Sequence, residues 1–249
     1  MKLLMRSGQV VHVLLYGGRG GGKHQRGSDI ELGHLCRGVV SGRSSTDGLL
    51  AGKEFEATWC HQKIRHDYNA YSLCCFFLET ISKLAPQATF QDWENEGDSE
   101  GTSDEMVGFF RVLSNALAYL DHSLTSPLNR SGQLALFLGK LMLELGIFPL
   151  LEKCVLSGIP LSAQMDLGLL AEKGGFADAH LVAKGRRSTS HAPLWKFLIL
   201  VRETRYPDFA FTGAGREEMA LVPVKELVDY FLFHLHLHPF DFKTLSLVI

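Results

Sequence analysis

Residues 133–160 read QLALFLGKLMLELGIFPLLEKCVLSGIP. Leu134, Phe137, Leu138, Leu141, Met142 and Leu145 recur at three- and four-residue intervals, the spacing of one helix face. Ser131 is the kind of residue that caps such a helix. The helix breaks at Gly146. The next residues carry one cysteine, Cys154, and a Ser157-Gly158-x-Pro160 turn. The stretch therefore predicts an amphipathic helix followed by a short cysteine-bearing segment. A hairpin or loop over 158–185 comes next.

Working outward, the same periodicity predicts more helices. Tyr68 to Leu84 places Tyr71, Cys74, Cys75, Leu78, Ile81 and Ser82 at helical spacing and stops before Pro86. A helix capped by Asp104 carries Met106, Phe109, Phe110, Leu113, Ala116, Leu117 and Leu120 on a wide face, and the turn at Ser126-Pro127 closes it. Pro193 opens LWKFLILVRE. Val224 to His238 presents Leu227, Tyr230, Phe231, His234 and Leu235. Between the first two helices, residues 87–103 form an acidic linker with Asp92, Glu94, Glu96, Asp98 and Glu100, expected as a solvated loop.

Residues 1–53 differ in kind. They hold twelve glycines and scattered basic residues. Val10 to Tyr16 reads as a strand and Cys36 to Val40 as a weaker one. Lys53 to Trp59 alternates Phe55, Ala57 and Trp59 against Glu54, Glu56 and Thr58, a two-residue period. The predicted class is α+β: a small β module over 1–66, incomplete or partly disordered, then a mainly helical domain over 67–249.

Charge follows the same division. The chain is nearly balanced at −2, yet residues 1–66 hold ten Lys/Arg against five Asp/Glu, and residues 67–249 hold fifteen against twenty-two. A basic module that meets an anion is the expectation. The five cysteines, at 36, 60, 74, 75 and 154, form no C-x-x-C pair. Adjacent Cys74 and Cys75 read as small buried hydrophobes. The odd count without a framework points to a reducing compartment, and no run approaches the ~18 apolar residues of a membrane span. A cytoplasmic protein without membrane partners is expected.

Four constellations bear on chemistry. Gly17 to Lys23 fits G-x-x-x-x-G-K, a loop that can cradle phosphate and so suggests a nucleotide-binding enzyme. His24 replaces the hydroxyl that would hold magnesium, and Gly27 and Gly33 spoil the following helix. His234 and His238 share a face if the helix continues, but no third ligand accompanies them. Cys154 has no second cysteine three residues away, so it reads as a packed structural residue and no metal or other cofactor is expected. Arg6, Arg19, Lys23, Arg26, Arg37, Arg43 and Lys53, with Tyr16 and Trp59 as stacking surfaces, form the candidate nucleic-acid set. Nucleophile elbows and H-E-x-x-H motifs are absent, which points away from an enzyme.

Three segments, in order, resemble the bacterial recombination mediator RecO. FEATWCHQKIRHDYNAYSLCCFFLETI looks like that family's passage from the last OB strand into the first helix of the helical domain. LMLELGIFPLLEKCVLSG is similar to its helix ending in "LGxxPxLxxC" and leading into a "CxxCG" knuckle, with Cys154 at the first cysteine and Ser157 at the second. ELVDYFLFHLHLHPFDFKTL resembles its C-terminal "LxxYLxxHL" signature, through Leu227, Tyr230, Phe231, His234, Leu235, Pro239 and Lys243. The resemblance spans residues 54–249 and implies an OB-like module joined to a helical domain. It implies binding and annealing of single-stranded and double-stranded DNA, with RecR and the C-terminal tail of single-strand-binding protein as partners. A helical interaction domain without DNA binding is the blander alternative.

Overall fold

The computed structural model describes residues 1–15, 30–41, 50–88, 108–123, 130–182, 190–206, 208–209 and 223–249, and every structural statement below concerns these. They are of the α+β class. The strands are β1 (Lys2–Leu4), β2 (Val10–Leu15), β3 (Leu35–Ser41), β4 (Leu50–Trp59), β5 (Leu167–Leu170) and β6 (Gly175–Asp178). The helices are α1 (Tyr68–Leu84), α2 (Gly108–Ser123), α3 (Arg130–Leu145), α4 (Ala192–Glu203) and α5 (Val224–His234). Two compact units form, each discontinuous in sequence: Met1–Gln62 with Leu78–Leu117, and Lys63–Phe77 with Ala118–Ile249.

The first unit is built on a sheet of order β1-β2-β4-β3. Hairpin β1-β2 is antiparallel and turns at Gly8, whose φ of 84° suits a residue without Cβ. Strands β2 and β4 run parallel, pairing Val13 with Leu50, while β3 returns antiparallel to β4. Val11, Val13 and Leu50 bury against Leu3, Met5, Phe55 and Ala88. The alternation read in β4 holds: Phe55, Ala57 and Trp59 are sheltered while Glu56 and Thr58 are exposed. In β3 the Phe55 ring lies where a Cβ on Gly38 would be, 2.3 Å from it, so a glycine lets the ring cover the strand.

Strand β1 is missing from the sequence reading, because three residues carry too little periodicity to register. The acidic linker also begins later than expected. Gln87 bridges Val10, the Val10 N–H donates to Pro86 O at 2.8 Å, and the Ala88 N–H donates back to Val10 O at 2.9 Å. The remaining linker residues, 89–103, lie outside the described residues, as do Tyr16, Asp104, Met106 and the Ser126-Pro127 turn.

The second unit is organised around α3. Residues 132–139, 141 and 142 are all buried, so this helix is sheltered on every side rather than along one stripe. It packs on α4 and α5, and Phe137 stacks on Phe77 with centroids 4.0 Å apart. Each large apolar side chain buried this way contributes roughly 1.5–3 kcal/mol. Gly139 permits the approach of α4: a Cβ there would meet Val201 Cγ1 at 2.9 Å. Lys140 Nζ donates to the Val201 and Thr204 carbonyls, satisfying the end of α4 with a cation where the helix dipole favours one.

Ser131 lies inside α3, which already starts at Arg130, so it is not the cap; the residues ahead of the helix lie outside the described set. Helix α1 matches its expected span, Tyr68–Leu84, but Tyr71 faces out and Cys75 is only partly sheltered, whereas Cys74 is buried. Pro193 stands in the first turn of α4 as expected, and 158–185 contains the antiparallel hairpin β5-β6.

The largest departure is at the C-terminal histidines. Helix α5 stops at His234, and His236 adopts φ 54°, the conformation usually left to glycine. The Leu237 N–H reaches Leu232 O at 3.0 Å and the His236 N–H reaches Phe233 O at 3.2 Å, the paired bonds of a left-handed helix end. Gly146 makes the same termination on α3, with Ile147 N–H to Met142 O at 3.0 Å and φ 70°. His234 and His238 therefore do not share a helix face; His238 instead caps a short 3-10 turn, Pro239–Asp241.

These two ends give opposite expectations. Nothing lies within 4 Å of a Cβ on Gly146, so Gly146→Ala is penalised by backbone strain alone. Chemical denaturation is expected to show a loss of about 1 kcal/mol for Gly146→Ala and a gain of similar size for His236→Gly. Equal stability for both variants and the wild type would refute the left-handed terminations.

Candidate nucleic-acid interface and the cysteine knuckle

The basic residues picked from sequence fall in three places. Arg6 is exposed in the β1-β2 turn and Arg37 is exposed on β3. Because β1 and β3 are the edges of the sheet, three inter-strand steps, about 14 Å, separate those strands. Arg37 stands opposite Glu56 in the β3-β4 register, which offsets part of its charge. Lys53 is in β4, though its side chain is outside the described set. Arg19, Lys23, Arg26 and Arg43 lie outside the described residues, with the whole Gly17–Lys23 loop. Trp59 is half-buried and meets His61 edge-on, centroids 6.3 Å apart, so it is not an open stacking surface.

The sequence after α3 builds a compact knuckle. Leaving Gly146, the chain bridges Leu150 to Gly175 and folds back so that Lys153 bridges Pro160. The Cys154 N–H donates to Ile159 O at 2.8 Å, and the Gly158 N–H donates to Cys154 O at 2.8 Å, with Gly158 at φ 75°. Trp195 Nε1 donates to Leu151 O at 2.9 Å and ties this loop to α4. Cys154 is buried with Leu170 and Ala177.

The thiol of Cys154 is the acceptor at the centre of the knuckle. The N–H groups of Ser157 and Asp178 each point at Sγ from 3.4 Å. Burial pushes this thiol up; the Ser157 side chain and the main-chain N–H groups of Asp178, Ser157 and Leu156 outweigh that and hold it down at about 7. Burial as a structural cysteine agrees with the sequence reading. Its electrostatic setting does not follow from sequence, because Asp178 comes from a different strand. Among the described residues, no three His, Cys, Asp or Glu side chains gather closely enough to hold a metal ion.

His191 is buried ahead of α4 and its Nδ1 accepts the Leu169 N–H at 2.8 Å. Burial holds it below the usual histidine range, against the pull of Glu226 and Asp166. At the start of α1, Arg65, His66, Tyr68 and Tyr71 are all exposed. A helical period shows which positions share a face, not that this face stays uncovered. No helix among the described residues is long and apolar enough to cross a membrane.

No family model matches the chain, and no curated protein or solved structure matches it either.

The knuckle gives a pH signature. Cys154 has a folded value near 7 against an ordinary 9.0, so its contribution is fully present above about 9 and is lost as pH falls through 7. His191, depressed in the fold, adds destabilisation as pH falls below its unfolded value of about 6.5. Cys154→Ala is expected to cost about 1–3 kcal/mol, since two inward N–H groups lose their acceptor, and to flatten the rise in stability between pH 7 and 9. Denaturation midpoints across pH check this; an unchanged rise in the variant would contradict it.

Proposed function

We propose that this chain is a RecO-like recombination mediator acting in the cytoplasm, a strand-handling protein rather than an enzyme. It binds single-stranded and double-stranded DNA and anneals complementary strands. With RecR and the C-terminal tail of single-strand-binding protein, it helps recombinase replace that protein. Annealing requires neutralisation of two polyanions and no catalytic group.

The observation that carries this reading is the strand order. Four consecutive strands of a five-stranded OB barrel, its second to fifth, take the order β1-β2-β4-β3 with the parallel neighbours in the middle. OB modules are single-strand binders. The knuckle adds support: Cys154 and Ser157 stand three residues apart in a loop closed by N–H groups, where the resembling family carries its cysteine pair.

The test is annealing of complementary oligonucleotides, one labelled with a donor and one with an acceptor dye. The full chain should accelerate annealing, and single-strand binding should weaken steeply with salt. Replacing Arg19, Lys23 and Arg26 together with alanine should lower the slope of log affinity against log salt by roughly two, if each meets a phosphate. Annealing no faster than the spontaneous rate would overturn the reading.

A further inference from the structure

His191 stands one residue ahead of α4, where a side chain commonly accepts the first helical N–H groups. Its side chain makes no such cap, and the ring is turned to β5 instead. The His191 N–H donates to Leu167 O at 2.8 Å, and Nδ1 accepts the Leu169 N–H at 2.8 Å. A parallel neighbouring strand makes the same two bonds around Gly168, with a carbonyl in place of the imidazole nitrogen. The His191 carbonyl meanwhile accepts the Trp195 N–H at 2.9 Å, from the first turn of α4. One residue thus joins the helix to the outer edge of hairpin β5-β6.

The other edge of the hairpin is held differently. Strand β6 and the residue before it are tied to the knuckle by main-chain bonds, Leu150 N–H to Gly174 O and Val155 N–H to Phe176 O, each 2.9 Å. The Asp178 N–H on Cys154 Sγ, at 3.4 Å, adds to them. Strand β5 instead relies on a ring nitrogen that accepts only while it carries no proton. A protonated imidazole has N–H at both nitrogens and accepts at neither. The ring is buried, and burial disfavours its charged form. Glu226 in the first turn of α5 and Asp166 ahead of β5 act on it in the opposite sense without overcoming that burial.

We infer that His191 is a pH-operated latch: the neutral ring holds β5 against the start of α4, and protonation releases β5 while β6 keeps its main-chain bonds to the knuckle. The sense follows from linkage. With β5 released, the ring titrates in water near its ordinary value of about 6.5. The latched ring titrates lower. Opening therefore takes up a proton and becomes easier as pH falls below about 6.5. Cys154 titrates at about 7, above this window. The latch is independent of the strand-handling reading.

Amide hydrogen exchange of the full chain, followed by NMR from about pH 6.5 down to about 5, tests it. After correction for intrinsic exchange, protection of the Leu169 N–H should fall by up to about tenfold per pH unit, the slope of one proton taken up on opening. The Val155 N–H, which reports the knuckle edge, should fall less. In His191→Asn, Oδ1 stands at the same branch position as Nδ1, accepts a hydrogen bond and does not titrate, so Leu169 protection should follow that of Val155 at every pH. Nitrogen-15 shifts of the wild-type ring give a reading that needs no variant: the neutral form should carry its proton on Nε2. A neutral ring protonated on Nδ1 would overturn the latch. So would Leu169 protection that runs parallel to that of Val155 in the wild type, or an acid slope at Leu169 that His191→Asn leaves unchanged.

Discussion

The burial of α3 over residues 132–139, 141 and 142 is the constraint on which the second unit depends. A helix covered on all sides needs neighbours on all sides, and α4, α5 and Phe77 at the close of its α1 segment supply them. Two details make that packing possible. Gly139 removes the Cβ that would strike Val201, and Lys140 turns its ammonium onto the exposed carbonyls of α4. Gly146, exposed and at φ 70°, ends α3 and turns the chain into the knuckle that holds Cys154. Knuckle and hairpin β5-β6 then bond to each other, through Leu150 with Gly174 and Val155 with Phe176.

How much of this was legible in the sequence depends on the range of the interactions involved. Helix α1 and the opening of α4 were readable because their signals are local: apolar spacing, then proline placement. Gly146 was readable because glycine at a helix end has one common use. His236 was not, since it takes the same left-handed turn with a side chain that carries no such signal, and the helix seemed to run on to His238. Ser131 misled in the opposite way: a good capping residue sits inside the helix it was expected to start. Gln87 reads as polar linker yet pairs with Val10, a long-range contact that no local pattern encodes.

The candidate sites divide along the same line. Of the basic residues chosen from composition, Arg6 and Arg37 fall at opposite edges of the sheet, Lys53 on the inner strand β4, and the others lie outside the described residues, so charge content alone did not define a surface. Tyr71 stands at helical spacing among the apolar positions of α1 and Tyr68 is only its first residue; that both are exposed depends on what the rest of the chain leaves uncovered. Cys154 was identified as structural. The hydrogen bonds that lower its thiol come from Ser157 nearby and from Asp178 on β6, and the second of these needed the fold.

The central claim, that this protein holds single strands on its OB-like sheet, has a direct test. The full chain would be photo-crosslinked to a bromodeoxyuridine-substituted single strand and the adducted peptides mapped by mass spectrometry. The expected result is adducts on peptides of the sheet-bearing unit, diminished by competing unlabelled single strand and by high salt. Efficient crosslinking confined to peptides outside the sheet-bearing unit, or none above a control protein, would contradict it.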